Sequence, residues 1–301
     1  MQIGINSTQI EHLTTLLKST MIACPNCSHT QNHKIYNNTL IACEHCEHIW
    51  ADLSLDEEQL RVIYAENYFK GEEYADYLSD KLILQTNFQK RLNSLKKLTG
   101  PPTFENVLEL GCAYGFFGEL ILKNNKNYKG YDISEDAITY ANKHFGNHFS
   151  AENYLTATEV SGSFSDVFMW DVIEHLPKPS EFIEKLATET KQGGRVYITT
   201  GDISAWLPQK QKEKWRMIHP PTHIHYFSKK SITYLLQQNG FEVEKVIYPP
   251  VSRSIRVIFY SLFLLNKKPS KFVSWIYNLI PEKASIRVNT RDIMFVVAKK
   301  K

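Results

Sequence analysis

The sequence predicts an α/β protein built on a mostly parallel sheet, with a small metal-binding module ahead of it. Three observations carry that prediction. From residue 104 onward, short apolar runs alternate with helical stretches; a glycine-rich turn at 107–118 joins the first run to a helix; and four of the five cysteines stand as two C-x-x-C pairs. Alternating strand and helix patterns argue for parallel strands joined by crossover helices, which cover both faces of the sheet.

At 301 residues the chain suits one sizeable domain with a small appendage. It is 43% hydrophobic and 22% charged, enough to bury an ordinary core. A net charge of +3 is too weak to point to nucleic acid. The first twenty residues lack a basic region followed by a long apolar run, so no signal peptide is expected. Ile10, Leu13, Leu16 and Leu17 fall at the spacing of a short packing helix. The longest apolar run, Val257–Leu265, is half the ~18 residues a membrane span requires. The expected location is the cytoplasm.

Residues 1–52 are read as that short helix and a zinc ribbon. Cys24 and Cys27 form one knuckle, Cys43 and Cys46 the other, and the stretch between them reads as a hairpin of His33–Tyr36 and Thr39–Ala42. Four thiolates give Zn²⁺ a closed tetrahedral shell, a structural rather than catalytic arrangement. In a reducing compartment this grouping favours metal over disulfides. One lysine and no arginine in residues 20–52 speak against a phosphate-binding ribbon.

Residues 53–102 read as a helical linker, with Leu78, Leu82, Phe88, Leu92 and Leu95 spaced along it; Gly100-Pro101-Pro102 ends it. The remaining 103–301 form the main domain. Its expected strands are Val107–Leu110, Tyr128–Tyr131, Val167–Trp170, Val196–Thr199 and Asp292–Ala298, with helices at Ser134–Phe145 and Pro179–Thr190. Gly193-Gly194 read as the turn into the fourth of these.

Gly111, Gly115 and Gly118 allow a sharp turn and close approach of backbone to a ligand, and Asp132 follows at the end of the next strand, where an acidic side chain can take ribose hydroxyls. The run E-x-G-x-A-x-G, followed by Tyr131-Asp132-Ile133-Ser134, resembles motifs I and II of class I S-adenosylmethionine-dependent methyltransferases. Ala113 stands where a glycine is usual. The order W-D-V-I-E-H-L, G-G-R-V, H-P-P-x-H-x-H-Y-F-S and N-G-F-E-V resembles a group of bacterial methyltransferases, many with an amino-terminal zinc module. That resemblance implies a Rossmann-like, seven-stranded, mostly parallel sheet. It also implies that Glu109 and the Gly111-Cys112-Ala113-Tyr114-Gly115 backbone hold the methionine portion of the cofactor. Asp132 and Ile133 would hold the ribose, Glu152 or Asn153 would lie near adenine, and Asp171 would complete the cofactor contacts.

Methyl transfer to a hydroxyl needs alignment, exclusion of water and a base. His175, His223 and His225 are candidates, with His223 preferred because its loop follows the Val196–Thr199 strand, where substrate would enter. Asp171, Glu174 and His175 form D-x-x-E-H, similar to an E-x-x-E-H that binds a divalent metal in some O-methyltransferases. The plainer reading of these three is helix capping and pocket polarity. Residues 251–288 carry seven Lys/Arg against one acidic residue, with apolar segments Ile255–Leu265 and Phe272–Ile280. Such a basic helical insert either packs over the acceptor site, forms a dimer contact or touches a membrane surface or lipid-linked substrate. The function implied is methyl transfer from S-adenosylmethionine to oxygen of a small-molecule, sugar or lipid-linked acceptor. The rivals are an RNA methyltransferase guided by the ribbon and a cofactor-binding interaction module without turnover.

Overall fold

In the ribbon, Tyr36, Asn37 and Asn38 all take positive φ (49°, 53° and 64°), a conformation that asparagine tolerates better than most residues. They reverse the chain between β1 (Asn32–Ile35) and β2 (Leu40–Cys43), so each strand sits one residue from its expected place. A third strand, β3 (Ile49–Ala51), pairs with β2. The computed structural model describes residues 22–53, 55, 57–64, 77–124, 127–159, 162–263, 270–281 and 284–301. The helix expected at Ile10–Leu17 and the end of the Val257–Leu265 run lie outside them.

After α1 (Glu57–Ile63) and α2 (Lys81–Leu98) the main domain alternates as the sequence predicts. It runs β4 (Asn106–Leu110), α3 (Phe116–Leu122), β5 (Asn127–Tyr131), α4 (Glu135–Phe145), β6 (Phe149–Ser150), β7 (Phe164–Trp170), α5 (Pro179–Glu189) and β8 (Thr190–Gly201). Then follow α6 (Trp206–Gln211), β9 (His225–Tyr226), α7 (Lys229–Gln238) and β10 (Phe241–Ile247), with β13 (Ile293–Lys300) last. Seven of these strands form one sheet in the order β10-β13-β8-β7-β4-β5-β6, in which only β13 runs antiparallel to its neighbours.

Both faces of that sheet are covered, which is why its strands are apolar almost throughout. Along β7, Phe168 and Trp170 pack on one side with Phe88, Leu92 and Leu95 of α2. Val167 and Met169 pack on the other with Ile183 and Leu186 of α5 and Ile232 and Leu235 of α7. The α2 segment of the expected linker is therefore part of the core. Gly193 and Gly194 do not precede a strand: they lie inside β8, where the register against β7 slips between Phe164 and Asp166, so the glycines form a bulge.

The insert differs from a purely helical one. Helices α8 (Ile255–Phe263) and α9 (Lys271–Leu279) are bracketed by β11 (Val251–Ser254) and β12 (Ser285–Val288), which pair antiparallel. Asn87 of α2 fixes β11, accepting from the Ser252 backbone N–H at 2.8 Å and donating to its carbonyl at 2.9 Å. No helix among the described residues is long and apolar enough to cross a membrane.

Candidate active site

The turn after β4 is built by backbone conformation. Gly111, Ala113 and Gly115 have φ of 70°, 45° and 75°. A Cβ at Gly111 would stand 2.3 Å from Val172, and one at Gly115 would meet Phe149 at 2.8 Å. Glycine is thus required twice by space as well as torsion. Ala113 accepts the strained conformation, and its N–H donates to Asp132 Oδ2 at 2.9 Å. The other oxygen, Oδ1, accepts from Ser134 N–H at 2.9 Å. Asp132 therefore ties the ends of β4 and β5 together, and burial raises its pKa.

Two cavities meet at this turn. The first, about 180 Å³, is lined by Gly111, Ala113, Asp132, Ile133, Glu152, Asn153 and Asp171 among others. The second, about 340 Å³, takes in Glu109, Cys112, Arg91, Glu174, His223 and β11. Tyr77, Gly111, Trp170, Asp171 and His175 line both. The crevice lies at the carboxyl ends of the parallel strands, beside the point where strand order reverses between β4 and β7, the usual ligand position in such sheets. Of the residues expected to contact methionine, ribose and adenine, all but Tyr114 and Gly115 line these two adjoining cavities, although Glu109 is buried and accepts a short hydrogen bond from Tyr128. Burial first, and the charge of Asp132, push Glu109 up to about 8. Gly115 and Cys112 shape the turn, Cys112 packed against Gly130.

Sequence reasoning passed over Arg91. It lies on α2, 8% exposed, stacked over Trp170 and 4.0 Å from Asp171, with no side-chain hydrogen bond among the described residues. Its position three residues after Phe88 and four before Leu95 put it on the apolar face of the helix, and that was the available signal. Asp171 has φ +55° and a buried Oδ1 with no hydrogen bond. A buried guanidinium facing a half-exposed carboxylate suits a zwitterionic ligand between them.

The histidines separate. His223 Nδ1 lies 2.9 Å from the Met217 carbonyl, and His175 Nδ1 lies 2.8 Å from the Thr222 carbonyl. A carbonyl only accepts, so each ring carries its proton on Nδ1 and presents the Nε2 lone pair elsewhere. Glu174, 2% exposed and with no well-formed hydrogen bond at either oxygen, brings a carboxylate oxygen to the same place; ligand atoms of Glu174, His175 and His223 lie within 4.8 Å of one another. Burial and then Asp171 push Glu174 up to about 8. Burial takes His175 down to about 4; burial and then the neighbouring His175 and His219 take His223 down to about 2. Asp171 does not join this cluster, so the D-x-x-E-H grouping is replaced by Glu174, His175 and His223. Two imidazole nitrogens and one carboxylate are a donor set suited to a divalent cation.

His225 is placed elsewhere. It lines neither cavity; its Nδ1 is 3.0 Å from His48 Nε2, inside the contact with the ribbon. In the ribbon, Cys24 Sγ lies 3.7 Å from Cys46 Sγ and Cys27 Sγ 3.6 Å from Cys43 Sγ. A tetrahedron with Zn–S bonds of ~2.3 Å has edges of about 3.8 Å, so the four sulfurs fit such an ion. The Asn26 side-chain amide donates to Cys46 Sγ at 3.5 Å and to the Ser231 carbonyl at 3.1 Å, joining this cluster to the start of α7.

A family model described as a methyltransferase domain matches residues 77–246. The chain belongs to that family. Together with the sheet order and the glycine turn, this makes it a class I S-adenosylmethionine-dependent methyltransferase. Among curated proteins it is 31% identical over 108 residues to a ubiquinone biosynthesis O-methyltransferase of Ralstonia nicotianae, covering 34% of this chain and 45% of that one. It is 30% identical over 117 residues to the protein of the same name from Paraburkholderia phymatum, covering 37% and 49%. The chain spans about half the length of the curated relatives it matches. Among solved structures, magnesium protoporphyrin IX methyltransferase from Synechocystis PCC 6803, with bound SAH, aligns over 82% of this chain and 100% of its own at 15% identity and a TM-score of 0.50. A methyltransferase from Archaeoglobus fulgidus aligns over 74% and 99% at 17% identity and the same TM-score. These likenesses concern the methyltransferase fold; the family match ends before the insert.

Proposed function

We propose that this methyltransferase moves the methyl group of S-adenosylmethionine to a hydroxyl oxygen of a small-molecule acceptor held in the second cavity. The observation that supports this best is the Glu174, His175 and His223 cluster at the junction of the two cavities. In this reading adenosine occupies the first cavity, with its ribose at Asp132 and adenine near Glu152 and Asn153. The methionine end crosses at Gly111, its carboxylate on Arg91 and its ammonium facing Asp171. Names of the curated relatives support oxygen as the acceptor atom.

The acceptor proton passes to the cluster. His223 alone is a weak base at a pKa of about 2, whereas Glu174, at about 8, takes the acceptor's proton once it is itself ionised, with His223 and His175 orienting the hydroxyl. A second reading rests on the unsatisfied Glu174 oxygens: a divalent cation on Glu174, His175 and His223 would orient and acidify the acceptor hydroxyl. Zinc on Cys24, Cys27, Cys43 and Cys46 is proposed as a separate, structural ion.

The test is methyl transfer from labelled cofactor to a panel of hydroxylated, amino and carbon acceptors. His223→Ala and Glu174→Gln are each expected to lower turnover ~10²–10⁴-fold, with binding of S-adenosylhomocysteine unchanged. Without metal the rate should rise as pH passes through about 8, where Glu174 ionises. Loss of turnover in EDTA, restored by a divalent cation, would select the second reading. Acceptance of amines alone would overturn O-methylation. Asp132→Ala should weaken the cofactor by ~1.5–3 kcal/mol, as a charge-assisted hydrogen bond is lost; unchanged affinity by calorimetry would remove Asp132 from the ribose site.

A further inference from the structure

Beside the second cavity lies another, about 240 Å³, at the root of the insert. Its walls come from the open end of the β11–β12 pair, where Val251 faces Val288, and from the turn before β13, and they include Arg216, Arg253 and Arg291. No acidic residue lines it among the described residues. Asp292 stands behind Arg216, itself fully buried, and orients that guanidinium at 3.2 Å. Arg291 has φ +54°, and its N–H donates to Asn289 Oδ1 at 2.9 Å, a turn that fixes its backbone at the rim.

Arg216, Val251, Arg253 and Ile293 line this cavity and the acceptor cavity alike, so one molecule can occupy both. A carboxylate is satisfied by a single bidentate arginine, whereas a phosphate or diphosphate offers more oxygens and more charge than one guanidinium can take. The surrounding insert is itself basic, with seven Lys/Arg against one acid over 251–288.

We propose that the cavity among Arg216, Arg253 and Arg291 binds the phosphate or diphosphate of the acceptor, while the acceptor's hydroxyl reaches Glu174 and His223. This rests on the second cavity being the acceptor site. The group's source is either a nucleoside diphosphate conjugate or a prenyl diphosphate, which share the diphosphate.

The experiment is calorimetry of inorganic pyrophosphate on the full-length protein saturated with S-adenosylhomocysteine. Arg253→Gln and Arg291→Gln are each expected to weaken pyrophosphate roughly 10- to 100-fold. Lys143→Gln, an exposed change on α4, should leave it unchanged. S-adenosylhomocysteine binding in each variant reports the intact fold, and its failure in the parent protein would refute the methyltransferase reading separately. A nucleoside diphosphate binding more tightly than pyrophosphate supports the soluble source; a short prenyl diphosphate binding more tightly supports the lipid one. Equal binding of all three supports recognition of the diphosphate alone. Absence of pyrophosphate binding, or equal binding by the Arg253→Gln/Arg291→Gln double variant, overturns the proposal.

Discussion

The ribbon and the insert both pack on the methyltransferase domain, yet they are attached by different means. The ribbon contributes no residue to any of the three cavities described. It is held through main chain and buried polar groups: β3 pairs with β9, His48 meets His225, and Asn26 donates to Ser231. The insert lines the acceptor cavity directly through Val251–Ser254, Val257 and Ile258, while its outer side leaves Trp275 56% and Leu279 60% exposed. The difference teaches a division of labour. The ribbon fixes where the His223 loop lies, and the insert shapes what that loop meets.

If that division holds, damage to the ribbon appears in turnover and damage to the insert in acceptor affinity. The largest effect is expected from Cys24→Ser/Cys43→Ser. Metal analysis should find one zinc per parent chain and none in the variant. Turnover should fall about 10²-fold, the scale of an ångström-level misplacement, with cofactor affinity nearly constant. Stoichiometric zinc in the variant would end the four-cysteine assignment, and full turnover without zinc would erase the contrast between the two appendages.

Acid provides a smaller perturbation, aimed at the ribbon contact. Burial lowers the pKa of His48, and takes His225 down to about 4, against 6.5 for free histidine. Between those values the unfolded chain binds the proton and the folded chain does not, so stability falls as pH drops from 6.5 toward 4. For His225 the loss at pH 5 is ~2 kcal/mol. Glu174 works in the opposite direction: its raised pKa makes stability fall as pH climbs from 4.5 toward 8. Urea midpoints for parent and His225→Asn proteins at pH 5 and 7 should show a shallower acid loss in the variant. Equal losses would place the acid sensitivity outside the ribbon contact.

The smallest effect sharpens the insert's side. Asn87→Ala removes both hydrogen bonds from its side chain to the Ser252 backbone and should cost about 1–2 kcal/mol. Its kinetic signature should be a higher KM for acceptor at unchanged kcat. A lower kcat with KM preserved would show that the insert, too, positions the reacting groups.

The main sheet was legible because buried parallel strands are continuous apolar runs and their crossover helices carry their own period. The glycine turn was legible because positive φ and the Val172 contact leave glycine little alternative at 111. What escaped depends on distant partners. Strand β9 has two residues and no pattern of its own; it exists because β3 pairs with it. His223 and His225 stand two apart in one apolar stretch, and only the fold assigns one to the cavity and the other to His48. The β11 strand likewise depends on Asn87, 165 residues earlier. Arg91 drew no reading from the sequence because its partner Trp170 lies 79 residues away and only the packed fold brings the two together.

The borrowed strand also sets an order of assembly. The ribbon's cysteines are neighbours in sequence and can gather an ion as soon as they leave the ribosome. Its last strand partner comes much later, since His48 and His225 are 177 positions apart and Asn26 and Ser231 are 205 apart. At synthesis rates of ~5–20 residues per second, the newborn ribbon waits roughly ten seconds or more with the edge of β3 unpaired. During that interval an open edge can join the wrong strand, including one from another nascent copy. Non-local closure of this kind is slow, so the last stretch translated before Ser231 decides whether the first-made part of the enzyme finds its seat.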